Sequence, residues 1–213
     1  TAFDYDSRGL VTQRTDPLGR KNTSAYDAAG RLIRLTDRNG DISTFDYTGS
    51  GKLEAIHYPE STVQFDYDSR DNLHRMIDAA GTTINNYDVL NRLTGHTDPN
   101  GHQVSYQYDA VGNVIRLTYP GGKTVTYSYD ILNRLASISI DWLSKTMTYE
   151  YDAANRLTEI NHFNGMRAGI TLDQSNRLTQ LVHDGSGVLA SYRYTLDSSG
   201  NRTQEIASAP ILP

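Results

Sequence analysis

A Tyr-Asp dipeptide recurs along this chain at nearly constant spacing, and that period constrains the fold more than any other feature of the sequence. Seven copies are intact, and Tyr-Thr or Leu-Asp stands at three further positions in the same phase. Successive copies are 20 to 24 residues apart, which indicates tandem copies of one supersecondary unit. The ten copies begin at Tyr5, Tyr26, Tyr47, Tyr67, Tyr87, Tyr108, Tyr129, Tyr151, Leu172 and Leu196.

A tight turn is predicted directly after each Tyr position. The residue three places after the Asp is always Gly, Asn or Asp, the types that best tolerate a left-handed backbone. The Asp itself is able to accept hydrogen bonds from backbone N–H groups further along the turn. Together these residues predict a type I hairpin turn closed by a left-handed residue. The clearest pairs of turn residues are Asp27 with Gly30, Asp88 with Asn91, Asp109 with Gly112, Asp130 with Asn133, and Asp152 with Asn155.

A second turn is predicted about ten residues later in each unit, as in Asp16-Pro17-Leu18-Gly19. The strand entering the Tyr-Asp turn alternates with period two, for example in residues 104–108. Alternation degrades in the strand that leaves the turn, as in residues 31–35, where a β-bulge would reconcile the pattern. The sequence therefore predicts an all-β fold of tandem antiparallel β-hairpin repeats, each of about 21 residues.

The expected array is long. Residues 1–206 are predicted to form a single array of about ten units, and residues 207–213 a C-terminal tail or the start of the next element. Open twisted sheets rarely exceed about ten strands without curling, so a long curved or spiralling sheet is expected. Tyrosines of successive units are expected to stack in columns and to stabilise the sheet.

Composition excludes several classes of function. The net charge is −5 with both signs interspersed, so no basic stripe is present to attract nucleic acid. Cysteine is absent, which excludes disulfides and thiol chemistry. No apolar run approaches the roughly 18 residues that a membrane span needs. Only 37% of the residues are hydrophobic, which is lean for one compact core but suits many short strands.

The unit at residues 26–32 resembles the hallmark of the RHS/YD-repeat family, Tyr-Asp-x-x-Gly-Arg-Leu. Residues 87–93, 129–135 and 151–157 match it with Asn in place of Gly. In that family the repeats form a β-sheet strip that spirals into a hollow shell, a YD shell. Bacterial members enclose a variable C-terminal toxin, and a similar shell belongs to the cell-adhesion ectodomain of the teneurins.

The resemblance implies a structural role. This chain would be a segment of a shell that encloses or presents a toxin or another polypeptide, within a larger protein that is secreted or displayed on the surface of a bacterium. Its partner would be the remainder of that RHS-type polypeptide or its toxin cargo. The end strands of such a segment would carry unpaired backbone groups, so edge-to-edge dimerisation is a further expectation.

The abundant aspartates are not expected to be catalytic, because they occupy one repeated turn position and a structural role in the turn accounts for them. The histidines form no spaced ligand pair, and no serine lies in a Gly-x-Ser-x-Gly sequence. A lyase or hydrolase would need a non-repeating cluster of acid, base and nucleophile, and the sequence contains none. We therefore expect no catalytic residue, no metal site, no cofactor and no enzyme.

Four residues depart from the repeat. Tyr119, Trp142, His162 and Phe163 fall in second turns of consecutive units, where Asp-Pro or small residues stand elsewhere. Their side chains are candidates for an aromatic patch along one edge, and such patches often bind carbohydrate or a protein surface. This gives an alternative function, a binding module in recognition or adhesion. The simpler interpretation is that Trp142 and Phe163 fold onto the sheet and cover apolar surface.

Overall fold

The computed structural model describes residues 1–185 and 187–208, and its architecture is a succession of short antiparallel β-strands. By its internal contacts the chain divides into two compact units, Thr1–Ser105 and Tyr106–Pro213, which are taken in turn. The all-β fold of tandem hairpin repeats predicted from the sequence is confirmed. The spiral winding of the array and its standing as a single domain stay predictions, and residues 209–213 of the predicted tail lie outside the described part.

Unit 1 is an antiparallel meander in which each strand pairs with the next one along the chain. Its strands are β1 (Ala2–Tyr5), β2 (Val11–Thr15), β3 (Lys21–Tyr26), β4 (Leu32–Thr36), β5 (Ile42–Tyr47), β6 (Leu53–His57), β7 (Thr62–Tyr67), β8 (Leu73–Asp78), β9 (Gly81–Tyr87), β10 (Leu93–Thr97) and the first part of β11 (Gln103–Tyr108).

Unit 2 repeats this meander, again with sequential antiparallel pairing. Two short 3₁₀ turns, Pro120–Gly122 and Asp141–Leu143, interrupt it. Its further strands are β12 (Val114–Thr118), β13 (Thr124–Tyr129), β14 (Leu135–Ile140), β15 (Lys145–Tyr151), β16 (Leu157–Asn161), β17 (Arg167–Leu172), β18 (Leu178–Asp184), β19 (Val188–Leu196) and β20 (Arg202–Ser208). No helix in residues 1–185 and 187–208 has the length and apolarity to cross a membrane.

Two kinds of turn connect the strands. First turns follow the Tyr position and span residues 6–9, 27–30, 48–51, 68–71 and 88–91 in unit 1, and 109–112, 130–133, 152–155, 173–176 and 197–200 in unit 2. Second turns join each repeat to the next, at residues 16–19, 37–40, 58–61, 78–81 and 98–101 in unit 1 and at 119–122, 141–144 and 162–165 in unit 2. Within a unit, all first turns lie along one edge of the meander and all second turns along the other.

Wherever the register across a first turn is described, a β-bulge follows the Tyr position, and it accounts for the broken alternation in the sequence. Tyr26 pairs with Leu32 while its neighbour Ala25 pairs with Arg34, so Ile33 is the extra residue. The expected bulge in residues 31–35 is therefore present. An extra residue turns the rest of the strand over, so the two sides of each hairpin keep their apolar residues on the same face despite the irregular sequence.

Burial in the described residues is shallow. Only Gly95, Ala55, Val125, Ala168 and Thr124 are buried there, and none of the larger side chains in that part is fully enclosed. Each meander is thus a strip without a second layer packed on it. Its stability comes from backbone hydrogen bonds between strands and from side-chain hydrogen bonds between neighbouring repeats. Such dependence on nearest neighbours is typical of repeat proteins.

Candidate functional site along the turn edges

The aspartate that opens each first turn organises the turn through its carboxylate. In unit 2, Asp130 Oδ1 accepts the backbone N–H groups of Leu132 at 2.9 Å and Arg134 at 3.0 Å, and Oδ2 accepts Arg134 Nε at 2.7 Å. The backbone N–H of Arg134, followed by its guanidinium, lowers the pKa of Asp130. Asp27, Asp88 and Asp152 are held by their own Arg in the same way, whereas Asp109 is held by Asn113.

The residue that closes the turn lies in the left-handed region. Gly30 has φ 83°, and at Asn133 and Asn155 φ is 64°. The N–H of Asn133 donates to the carbonyl of Asp130 at 2.9 Å, so the four residues form a closed turn. Asn replaces Gly here because its short polar side chain lowers the steric cost of positive φ. The remaining predicted closing residues have φ 62° at Asn91 and 102° at Gly112.

The tyrosine before each Asp links its repeat to the preceding one. Tyr151 Oη donates to the carbonyl of Leu135 at 3.0 Å, and Leu135 is the first residue of the strand that leaves the previous first turn. Both the ring and its acceptor are half-buried. The same backward hydrogen bond is made by Tyr26 to Val11, Tyr47 to Leu32, Tyr67 to Leu53, Tyr87 to Leu73 and Tyr129 to Val114.

The arginine after the closing residue links its repeat to the following one. Arg156 Nη1 donates to the carbonyl of Asp173 at 2.6 Å, and Arg177 Nη1 donates to the carbonyl of Asp197 at 2.9 Å. Arg134 Nη1 donates to Asn155 Oδ1 at 2.9 Å. In unit 1 an arginine just before the closing residue makes the same kind of bond, from Arg8 to the Asp27 carbonyl at 2.6 Å and from Arg70 to the Asp88 carbonyl at 3.0 Å.

Where the structure shows a contact to a tyrosine of the ladder, a cation rather than a second tyrosine lies over the ring, in place of the expected stacking. The Arg134 guanidinium lies 4.4 Å from the centre of the Tyr151 ring, and Arg31 lies 4.7 Å from that of Tyr47. Tyrosines of successive repeats are two strand spacings apart, about 10 Å, which is too far for ring contact. The arginines are the residues that sequence reasoning missed, although Arg at a fixed distance from the turn Asp was visible in the repeat.

The four candidate binding residues lie along the second-turn edge of unit 2, but only two of them meet. The rings of Tyr119 and Trp142 are 6.0 Å apart and nearly perpendicular, at 88°. Lys123 Nζ lies 5.7 Å from the centre of the Trp142 ring. His162 and Phe163 occupy the next second turn, and within the described residues no ring contact joins Phe163 to Trp142.

Asp141 fixes the turn that carries Trp142. Its carboxylate accepts the backbone N–H of Thr124 at 2.9 Å and the Thr124 hydroxyl at 2.6 Å. These bonds, led by the one from the hydroxyl, lower the pKa of Asp141. Trp142 and Tyr119 nevertheless stay 42% and 40% exposed, so neither ring is folded away onto the sheet.

Other polar groups are spread over open surface. In unit 1, His57 Nε2 lies 2.9 Å from Asp46 Oδ2, and His57 Nδ1 lies 3.1 Å from Thr62 Oγ1. The His57 and Asp46 side chains are 44% and 61% exposed, so this chain of hydrogen bonds lies in an open depression, lined also by Glu54, Gln64 and Asp66, rather than in a closed pocket. In the described part of the sequence, no three His, Cys, Asp or Glu side chains are grouped so that they would hold a metal ion.

Comparison with known proteins points to one family. The model of the teneurin YD-shell family matches residues 1–159. Over 111 residues, half of this chain, the sequence is 27% identical to double-stranded DNA deaminase toxin A of Burkholderia cenocepacia strain H111. The chain spans only 8% of the length of that relative.

Solved structures share the fold. The crystal structure of TcdB2-TccC3-TEV matches with a TM-score of 0.72 at 17% identity, covering 97% of this chain and 12% of that one. The pore of the Photorhabdus luminescens Tc holotoxin matches with a TM-score of 0.71, at the same identity and coverage. A third structure, TcdB2-TccC3-Cdc42, has a TM-score of 0.56 at 16% identity, over 96% of this chain and 15% of that one.

Proposed function

The chain belongs to the teneurin YD-shell family, and from that premise we propose that it is a non-catalytic wall segment of a shell that encloses or presents a toxin or another polypeptide. The main support is that each repeat is bonded to both of its neighbours: a Tyr hydroxyl donates to a carbonyl of the preceding repeat, and an Arg guanidinium donates to a carbonyl of the following one. These side chains are committed to holding one repeat to the next. A rigid, extendable strip is what such bonding produces.

The chemistry of the aspartates supports a role without turnover. Their carboxylates are engaged by backbone N–H groups and by Arg or Asn within the turn, and their pKa values are lowered rather than raised. A carboxylate held ionised in this way is a poor general acid near neutral pH. The wall segment therefore works by shape, and any activity belongs to the polypeptide that it surrounds.

The remaining context follows from the relatives. A deaminase toxin and Tc toxin assemblies are far longer than this chain, so the proposed partner is the remainder of a larger RHS-type polypeptide or its toxin cargo. We place the segment in a secreted or surface-displayed protein of a bacterium. Because charges of both signs are interspersed along the sequence, we do not expect nucleic acid among its partners.

The second candidate function is recognition of carbohydrate or of a protein at Tyr119 and Trp142, and their exposure is the observation that favours it. Sugar stacking needs an open ring face, yet Tyr119 stands edge-on to Trp142 and Lys123 lies near the indole. The aromatic pair is thus engaged with itself and with a cation. A glycan array with wild type and Trp142→Ala tests this candidate, which requires binding that the substitution abolishes.

The wall proposal is tested by protease protection in the longer polypeptide that carries this segment. Enclosed cargo should survive protease in the wild type. It should be cleaved faster when Tyr26, Tyr47 and Tyr67 are all changed to Phe, because three links between adjacent repeats are lost. Tyr58→Phe, in a second turn outside this ladder, is the matched control. Cargo that is cleaved equally fast in the wild type and the triple variant would refute the proposal.

A further inference from the structure

Two consecutive first turns of unit 2 present apolar side chains to solvent. Val111 in the turn at residues 109–112 is 74% exposed, and Ile131 and Leu132 in the turn at 130–133 are 101% and 57% exposed. The two turns are two strand spacings apart, about 10 Å, so these three side chains form one patch, the apolar tips. Single exposed apolar residues are ordinary on a protein surface, whereas a contiguous group usually marks a contact.

The fold does not require apolar residues at the tips. The hydrogen bonds of a first turn come from its Asp and its backbone, so the two central side chains play no part in closing it. Polar residues occupy the same places in later first turns of unit 2, Gln174 and Ser175 in one and Ser198 and Ser199 in the next. The stability of their own turns therefore does not explain the apolar tips.

The opposite edge of the same unit carries a second apolar group with the same spacing. Tyr119, Trp142 and Leu143 belong to the consecutive second turns at residues 119–122 and 141–144, and they are 40%, 42% and 49% exposed. Because both edges belong to one meander, consecutive second turns are also about 10 Å apart. Two adjacent tips of one copy are thus able to meet two adjacent second turns of another copy at the same time.

Charge favours contact between unlike edges. The two first turns with the residue after each, 109–113 and 130–134, contain two carboxylates and one guanidinium, a net charge of −1. The two second turns with the residue after each, 119–123 and 141–145, contain one carboxylate and two ammonium groups, a net charge of +1. Pairing an edge with its own copy would bring like charges together, whereas pairing one edge with the other brings opposite charges together.

We propose that the apolar tips dock on the second turns at 119–122 and 141–144 of a second copy of this chain. A copy related by translation places the turn at 130–133 against the turn at 141–144, a heterologous contact through turn side chains rather than through unpaired strands. An aromatic side chain buries about 150–250 Å² when fully covered, so Tyr119 and Trp142, at 40% and 42% exposed, add about 100 Å² each at most. The contact is well below the roughly 800 Å² per partner of a stable dimer, so the association is weak and reversible.

Disulfide trapping between single-cysteine copies tests this contact, because the chain contains no cysteine of its own. Ile131→Cys is mixed in equal amount with isotopically labelled Leu143→Cys in a glutathione redox buffer, and mass spectrometry separates the mixed dimer from the two symmetrical ones. The ratio of mixed to symmetrical dimers should exceed the statistical ratio by roughly fivefold or more, because docking buries the apolar tips. Both replaced side chains are exposed, so the fold should be retained.

The matched control is Gln174→Cys in place of Ile131→Cys, at the same position of a polar first turn in unit 2. Its mixed dimer with Leu143→Cys should form only in the statistical ratio. Statistical ratios in both mixtures, or an excess of the symmetrical Ile131→Cys dimer, would overturn the proposal. So would sedimentation of the wild type with phosphatidylcholine vesicles that Ile131→Ser abolishes, because the tips would then bind a lipid surface. None of these outcomes depends on whether enclosed cargo resists protease, so the contact and the wall proposal are tested separately.

Discussion

Replacing Tyr151 by Phe should loosen the contact between two adjacent repeats of unit 2. The substitution keeps the ring, and with it the Arg134 contact at 4.4 Å, and it removes only the hydroxyl that donates to the Leu135 carbonyl at 3.0 Å. A hydrogen bond between neutral groups contributes about 0.5–1.5 kcal/mol net. Since the carbonyl is only half-buried and water is able to replace the hydroxyl in part, we expect about 1 kcal/mol.

The same strand supplies the control. Tyr149 Oη donates to the Met147 sulfur at 3.1 Å, within its own strand and not across repeats. Tyr149→Phe therefore makes the same chemical change without removing a link between repeats. Because sulfur is a weak acceptor, its effect should be a few tenths of a kcal/mol at most.

Two measurements check this difference. Urea unfolding gives the change in the free energy of unfolding, and hydrogen–deuterium exchange locates it. For Tyr151→Phe, exchange should rise roughly fivefold in the strands β14 to β16, as about 1 kcal/mol implies, while strands of unit 1 stay unchanged. If both variants lose the same free energy, or if exchange rises evenly along the chain, the hydroxyl is not an inter-repeat link.

Further predictions concern the turns. Asn133→Ala and Asn133→Gly both remove the side-chain oxygen that accepts from the Asn113 amide, but only Ala is strained at positive φ. Thermal unfolding should therefore show Asn133→Ala to be less stable than Asn133→Gly by about 1–2 kcal/mol. Lowering the pH should destabilise the fold, because the pKa values of the turn carboxylates are depressed in the folded state. Their contribution to stability is complete above about pH 4 and is lost as the pH falls through the folded pKa, which is about 2 at Asp16. Urea midpoints should therefore drop between about pH 4 and about pH 2. Ile131, which is 101% exposed, should tolerate Ser with a change within about 0.5 kcal/mol in a thermal melt.

The architecture was readable from the sequence because backbone constraints leave marks there. Only a few residue types tolerate positive φ, so the closing column at Gly30 and Asn133 is visible without coordinates. The broken alternation around Ile33 likewise indicated a bulge. Side-chain links between repeats are harder to predict from sequence. The Tyr151 hydroxyl donates to a main-chain carbonyl, and because every residue type has such a carbonyl, the sequence does not identify the acceptor.

The candidate binding residues show the same limit. Sequence spacing placed Tyr119, Trp142 and Phe163 along one edge, but spacing alone does not fix ring orientation. The perpendicular Tyr119–Trp142 pair depends on how the 3₁₀ turn at Asp141–Leu143 aims the indole.

A repeat that carries both the Tyr bonded to the preceding repeat and the Arg bonded to the following one contains every side chain needed to join its neighbours. This affects how the number of repeats is able to change. A duplicated copy, inserted by unequal recombination, would find an acceptor carbonyl behind it and another ahead of it without any compensating mutation. Loss of one copy would restore the same junction between the flanking ones. The length of the strip is therefore open to change in steps of one hairpin.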